Sequence, residues 1–317
     1  MDESAKTPGT AKTPGTAKTP GTAKIPGTAE TPGTPGTPGT PRTTEGAPGA
    51  GPALSRARVD AYLERIQAAR PCRADAPALR DLQRRHLMTV PFENLSIHLG
   101  EDIVLEEERL VDKIVTQRRG GFCYELNGAF AALLRGLGFR VTLLQARVFG
   151  DGGRLGIPYD HVALRVETED GTGPWLADVG FGDHAVAPLA LDSRAEQVDV
   201  SGTFRFREAP RGDLDLSRDG SRQFRLDLRP RALSDFRAGS WYHRTSPESR
   251  FTRSLVCSRL TEDGRVTLSG RTLVSTVRGT RHTEERATDA DVLRAYLDLF
   301  GVALERVPEV RAAAPGA

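Results

Sequence analysis

The apolar spacing of this chain changes period at Gly138, and that change constrains the fold more than any other feature. Before it, large apolar residues recur every three or four positions, the period of a helix face; after it they gather in short runs bounded by glycine-rich turns, the habit of strands. Three helices are expected over Ala53 to Arg70 (Leu54, Tyr62, Leu63, Ile66), Pro77 to Met88 (Leu79, Leu82, Leu87) and Glu106 to Gln117 (Leu110, Val111, Ile114, Val115). A fourth carries Leu126, Phe130, Leu133, Leu134 and Leu137 on one face, with Gly138 where a C-terminal glycine cap belongs.

Downstream, "RVTLLQARVF" (Arg140 to Phe149), "HVALRV" (His161 to Val166), "WLADVGF" (Trp175 to Phe181), "TFRF" and "QFRLDL" read as strands, separated by turns such as "GDGG" and "EDGTG". Strands at that density without intervening helices predict an antiparallel sheet or small barrel packed on the helical part, hence an α+β fold and not a doubly wound one. The last third adds the strand-like "FTRSLVCSRL" and "RVTLSGRTLVSTV", then a helix at "TDADVLRAYLDLF" whose Thr288 and Asp291 suit a capping box.

Residues 1–52 differ in kind. The hexamer "KTPGTA" repeats from Lys6, Lys12 and Lys18, returns as "KIPGTA" at Lys24 and decays into "TPGTPGTPGTP". With almost no large apolar side chain, this stretch has nothing to offset the entropy of ordering and is expected to be a disordered, solvated tail. Its five basic side chains (Lys6, Lys12, Lys18, Lys24, Arg42) nearly balance four acidic ones (Asp2, Glu3, Glu30, Glu45), too little charge for a phosphate-gripping arm. A docking segment or a row of Thr-Pro phosphorylation sites is the alternative use.

Over the whole chain 44 basic residues meet 42 acidic ones, net +2, which gives no reason to expect nucleic acid or an anionic membrane as partner. Three cysteines, no signal-peptide pattern and no bilayer-length apolar run predict a reducing, cytoplasmic setting. Without a Cys-x-x-Cys or His-x-x-x-His pair, no metal site is expected; "GDGGRLG" fits neither dinucleotide nor Walker spacing and reads as a turn. Oligomeric state is not readable.

Chemistry concentrates in "RRGGFCYELNGAF" (Arg118 to Phe130), which sets Cys123 in the first turn of the fourth helix. Unpaired N–H groups and the positive end of the helix dipole stabilise an anion there, and beside a basic partner a thiol is expected to ionise near neutral pH. A cysteine nucleophile needs a base and a group to orient that base. His161, opening an apolar strand run, and Asp178, standing inside another between Ala177 and Val179, are the candidates. A carboxylate in such a run is costly unless paired. Cys72 and Cys257 lack similar surroundings and read as surface or packing thiols.

The order and wording of these motifs resemble the arylamine N-acetyltransferase family. "VPFENLSIHLG" (Val90 to Gly100) is similar to its helical-domain signature, "RRGGFCYELN" to its nucleophile motif, "HVALRV" and "WLADVGFGD" to its histidine and aspartate motifs, and "DFRAGSWYHRTSPESRF" (Asp235 to Phe251) to the connection into its last domain. The resemblance runs from about Pro52 to the C-terminal helix. It implies a helical bundle (residues 53–138), an antiparallel β-barrel-like middle (139–235) and an α/β lid (236–317), with a cysteine-protease-like triad of Cys123, His161 and Asp178. It also implies acetyl-coenzyme A as donor cosubstrate, an arylamine or hydrazine as acceptor, and transfer in two steps through a Cys123 thioester.

By the same resemblance Phe122 and Phe181 would wall the acyl and aromatic groups, and Arg119 would tie the Gly-Gly turn to Glu93 or Asn94. Tyr242, Thr245 and Ser246 would approach the coenzyme, although Glu248 departs from the family by placing negative charge near a phosphate-bearing ligand. Competing readings are a related amide synthase using another acyl thioester, a cysteine hydrolase, and a catalytically idle interaction protein whose working part is the repeat tail.

Overall fold

Why one helix should organise the molecule is clear from its neighbours in the computed structural model, which describes residues 54–310; the tail reading and the Ala53 helix start fall outside them. Four helices precede or pack on it: α1 (Arg56–Arg65), α2 (Ala76–Thr89), α3 (Leu95–Leu99) and α4 (Glu107–Val115), with a short strand β1 (Phe92–Glu93) between α2 and α3. Ser55 and Asp75 cap α1 and α2 by accepting the Arg58 and Ala78 N–H groups. The first helix is shorter than its apolar spacing suggests, because Gln67 takes a left-handed turn at φ 55° just after it.

The central element is α5 (Cys123–Gly136). It was expected to bury one face; instead every residue from Cys123 to Leu134 is buried. The reason lies in the residues off the leucine stripe. Gly128, Ala129, Ala131 and Ala132 are small enough for a second layer to close on them, and a helix buried all round lies inside a core. Tyr124, Phe130, Leu133 and Leu134 are fully buried, each contributing about 1.5–3 kcal/mol of apolar burial. Gly138 follows the last turn at φ 95° and lets the chain reverse.

Eight strands then form one antiparallel sheet: β2 (Arg140–Val148), β3 (His161–Glu167), β4 (Trp175–Ala177), β5 (Leu189–Ala190), β6 (Gln197–Asp199), β7 (Gly202–Glu208), β8 (Leu214–Arg218) and β9 (Ser221–Arg231). Their order is β5-β4-β3-β2-β9-β8-β7-β6, so the sheet curls into a nearly closed barrel around Phe204, Phe206, Leu216, Phe224 and Leu226. A side chain crosses its seam. Gln197 of β6 both accepts the Ala190 N–H (2.7 Å) and donates to the Ala190 carbonyl (3.0 Å), imitating a ladder pair between the two edge strands.

The "WLADVGF" run was expected as one strand to Phe181, but β4 ends at Ala177. From Asp178 on, side chains take over the backbone groups: Gln83 accepts the Asp178 N–H (3.3 Å), Asn127 the Val179 N–H (2.9 Å) and Asp178 itself the Gly180 N–H (2.9 Å). "FTRSLVCSRL" also divides, into a one-turn helix α7 (Arg250–Arg253) after α6 (Arg237–Thr245), and then β10 (Cys257–Thr261). With β11 (Gly264–Ser269), β12 (Thr272–Val277) and β13 (Thr280–Glu285), β10 builds a second antiparallel sheet, packed by α8 (Asp289–Phe300), which Thr288 and Asp291 cap as expected. Its outer strand is β1, which pairs Phe92 with Ser258 and Glu93 with Cys257. The helical part and the C-terminal part therefore share a sheet. Among the described residues no helix is long and apolar enough to cross a membrane.

Gly120 lies where β1 and the approach to α5 touch. A Cβ there would come within 1.9 Å of the Pro91 carbonyl oxygen, and backbone cannot step aside as a side-chain tip does. Gly120→Ala should therefore lower stability by about 2–3 kcal/mol in urea unfolding; a loss under ~0.5 kcal/mol would contradict so close an approach.

Candidate active site

The start of α5 is anchored by buried charge. Arg119 places two guanidinium nitrogens on Glu93 Oε1 (2.9 and 3.0 Å) and a third on both oxygens of Glu101 (2.9 and 3.1 Å). Lys113 reaches Glu125 Oε1 at 2.6 Å and Ser96 Oγ at 2.8 Å, while Glu125 Oε2 accepts the Phe122 N–H at 3.2 Å. Glu93 Oε2 accepts the Leu95 N–H, and the Glu93 N–H donates to the Gly121 carbonyl. Burial works to raise the Glu93 carboxyl, yet the charges of Arg119 and Lys113 hold it below the ordinary range. Glu125 goes the other way: burial raises it more than Lys113 lowers it. The turn "RRGGF" is thus clamped on three sides, and Cys123 begins the helix from a fixed point.

His161 stands at the first position of β3, and Asp178 just beyond the end of its neighbour β4, whose register pairs Leu164 with Ala177. Their side chains meet at 2.7 Å, His161 Nε2 to Asp178 Oδ2, both almost fully buried. Asp178 Oδ1 accepts Asn127 Nδ2 at 2.8 Å and the Gly180 N–H at 2.9 Å. Asn127 also donates to the Val162 carbonyl at 2.6 Å. Because Asn127 lies one turn after Cys123, one side chain joins the helix that Cys123 begins to the strand that carries His161 and to Asp178. Cys123 is 4% exposed, and its Sγ lies 4.0 Å from the Asp160 carbonyl oxygen and in hydrogen-bonding contact with His161.

The electrostatics follow. For Asp178 burial favours the neutral acid, but the charge and hydrogen bond of His161, with His184 and Asn127, overcome it and hold the carboxyl below its usual range. For His161 burial favours neutral imidazole, and Asp178 together with Cys123 overcomes that, raising the ring above its usual range. Cys123 departs from the expectation set by its helix position. Burial is the largest influence and pushes the thiol up, against the hydrogen bond and charge of His161 that pull it down. A helix terminus is worth roughly 0.3–1 kcal/mol, less than the penalty for an ion without water. At this sulfur the local effect of the helix end is therefore outweighed by tertiary burial.

The other residues singled out from sequence fall into three groups. Phe181, half-buried, sets its ring edge-on to His161 with centroids 5.2 Å apart. Phe122 is fully buried, edge-on to Tyr124 (5.0 Å) and Phe251 (5.7 Å). Arg119 meets Glu93, whereas Asn94 turns away to the C-terminal part: its amide donates to the carbonyls of Phe251 (2.9 Å) and Ser254 (2.6 Å), and its oxygen accepts the Val256 N–H (2.9 Å). Tyr242, Thr245 and Ser246 are engaged locally at the end of α6, Tyr242 with Glu248 (3.5 Å), Thr245 with the Trp241 carbonyl (2.8 Å) and Ser246 with the Glu248 N–H (3.2 Å).

Sequence reasoning missed Gln83, Lys113, Tyr124, Glu125 and Asn127. Asn127 had a signal, a polar residue one turn from the cysteine beside the apolar stripe of its helix; Gln83 had none. Of the remaining thiols Cys72 is exposed and Cys257 buried.

Residues 75–309 match a family profile described as N-acetyltransferase. The arylamine N-acetyltransferase of Mycobacterium tuberculosis is 34% identical over 277 residues, 81% of this chain and 97% of its own length. That of Escherichia coli is 32% identical over 254 residues, 77% of this chain and 88% of its own. Among solved structures, the arylamine N-acetyltransferase of Mycobacterium marinum matches with a TM-score of 0.72 at 32% identity, covering 77% of this chain and 92% of the other. The structure of the same Mycobacterium marinum enzyme in complex with CoA matches with a TM-score of 0.71.

The shifts at His161 and Asp178 carry a pH signature. Asp178, depressed, contributes stability present above pH ~4 and lost as pH falls through its folded value; His161, elevated, contributes stability fully present below pH ~6.5 and lost as pH rises through its folded value. Asp178→Asn removes both. The wild-type advantage in urea unfolding should be greatest, about 3–5 kcal/mol, between pH ~4 and ~6.5 and should shrink above it. A difference that stays level into the alkaline range would contradict the pairing.

Proposed function

The chain belongs to the arylamine N-acetyltransferase family, and from that premise we propose that Cys123, His161 and Asp178 are the residues through which it moves an acetyl group from acetyl-coenzyme A to an arylamine. The acetyl donor and the arylamine acceptor follow from the family; the assignment of roles to residues is our own reading. What carries it is the buried His161–Asp178 hydrogen bond of 2.7 Å with the Cys123 thiol in contact with the same imidazole.

In the first half-reaction the Cys123 sulfur attacks the carbonyl carbon of the acetyl thioester. Its proton resides on His161, whose positive charge Asp178 compensates. The tetrahedral oxyanion forms near the first N–H groups of α5, those of Cys123 and Tyr124, which helix geometry leaves without helical acceptors. Collapse breaks the bond to coenzyme A, and its sulfur leaves with the proton that His161 returns. In the second, an arylamine nitrogen attacks the acetyl-Cys123 carbonyl and gives a proton to His161 as the Cys123 sulfur departs, which regenerates the enzyme. Phe181, edge-on to His161, is the group we assign to the aromatic acceptor. Phe122, fully buried and one residue before Cys123, is the group we assign to the acyl side.

We further take residues 53–138, 139–235 and 236–317 as the working division of the chain into helical, barrel and lid parts. The donor-facing part is assigned to the α6 connection with Tyr242, Thr245 and Ser246, whose side-chain partners lie within that connection.

Incubation with acetyl-coenzyme A alone should raise the intact mass by one acetyl group and release one equivalent of coenzyme A. Cys123→Ala should gain none, and an arylamine added afterwards should discharge the acetyl-enzyme, giving parallel double-reciprocal plots. His161→Gln should lower kcat/KM by about 10²–10⁴-fold. Acetyl transfer without acetyl-enzyme, or a Cys123→Ala variant that still takes up the label, would contradict the assignment.

A further inference from the structure

A second histidine–carboxylate pair flanks the thiol, and the mechanism above makes no use of it. Asp160 immediately precedes His161, and its Oδ1 lies 2.9 Å from Nε2 of His243 on α6, both side chains about nine-tenths buried. The second Asp160 oxygen accepts the Val148 N–H of β2 at 3.0 Å. The Asp160 carbonyl oxygen accepts the Tyr124 hydroxyl at 3.0 Å and lies 4.0 Å from Cys123 Sγ. Asp160 is thus held at three atoms, by a strand, by the nucleophile's helix and by α6.

The far side of the His243 ring completes the case. Nδ1 meets Ser249 Oγ at 3.2 Å, and the Ser249 hydroxyl donates its only hydrogen to the His243 carbonyl at 3.1 Å, so both ring nitrogens face acceptors. An imidazole in that position is fully satisfied when both nitrogens carry protons, and it then cancels the Asp160 charge. Uncancelled, that carboxylate bears on the thiol, because a nearby negative charge disfavours a thiolate; the Asp160 charge does act to raise Cys123. The ionisable groups facing the thiol are His161, Asp160 and Tyr124, and those around His243 are Asp160, Tyr124 and Tyr242.

We propose that His243 is a positioning residue for the nucleophile: by pairing with Asp160 it neutralises a carboxylate beside Cys123 and fixes the peptide that carries His161, so that the α6 connection governs how readily the thiol ionises. This rests on Cys123 being the nucleophile. It also gives α6, the helix assigned to the donor, a route to the reacting sulfur through Asp160, from a residue two positions from Thr245 and next to Tyr242.

The test is the pH profile of Cys123 alkylation by iodoacetamide in the full chain, with the modified residue read by peptide mass spectrometry. His243→Gln should move the midpoint up by about one pH unit and slow alkylation at neutral pH about tenfold. Asp160→Asn should move it down, since the charge of His243 is then no longer offset by a carboxylate, and the double variant should return close to wild type. A merely structural His243 would lower the unfolding temperature of His243→Gln and leave the profile in place, which overturns the proposal, as does a double variant as slow as the single one. Should His243→Gln fail to fold, Asp160→Asn decides alone: a midpoint unchanged or raised overturns it. Because alkylation is read at the residue and not through turnover, a predicted set of profiles in a protein that makes no acetylated amine would count against the functional reading and leave this pairing standing.

Discussion

An aspartate cannot remain ionised in a protein interior without donors on both oxygens, and the demands of Asp178 organise this molecule. His161 satisfies one oxygen; Asn127 and the Gly180 N–H satisfy the other. Meeting those demands ends β4 at Ala177, draws the α5 asparagine against the barrel and brings the backbone of residue 180 onto the cysteine. A Cβ on Gly180 would lie 2.8 Å from Cys123 Cα. The bonds that keep the carboxylate charged are the bonds that seat the thiol's helix on the strand bearing the histidine. Structure and chemistry share one set of contacts.

The Arg119, Glu93, Lys113 and Glu125 cluster does the complementary task on the other side of Cys123. Buried ion pairs of this kind contribute little net stability once desolvation is counted, so their value here is positional. They fix the entry of the chain into α5, tie it to β1, and through β1 to the sheet of the C-terminal part. Asn94, next to β1, holds α7 and the segment after it with three side-chain hydrogen bonds. The helical part and the C-terminal part are therefore joined by backbone pairing and by side chains that reach the turn before Cys123.

Much of this was legible in the sequence wherever a rare residue type broke a pattern: a cysteine after two glycines at a helix start, a carboxylate inside an apolar strand run, a change of period at Gly138. Motif resemblance then supplied the family, which the comparisons bear out. What escaped were features made by packing. The all-round burial of α5 depends on small residues that carry no periodic signal; β1 is two residues long and exists only because β10 lies beside it. Gln83, Asp160 and His243 look like ordinary polar residues until partners up to 103 positions away come into reach. The thiol's upward shift was missed for the same reason, since helix position is local and readable while burial is tertiary.

The central claim is that Asp178 keeps His161 protonated beside the buried sulfur of Cys123. Nuclear magnetic resonance of the ring nitrogens of His161 across the pH range tests it most directly. The account predicts an imidazolium persisting well above pH ~6.5, with a strongly deshielded bridging proton on Nε2 that disappears in Asp178→Asn. A His161 that titrates near ~6.5 in the wild-type protein, with no change on replacing Asp178, would contradict it.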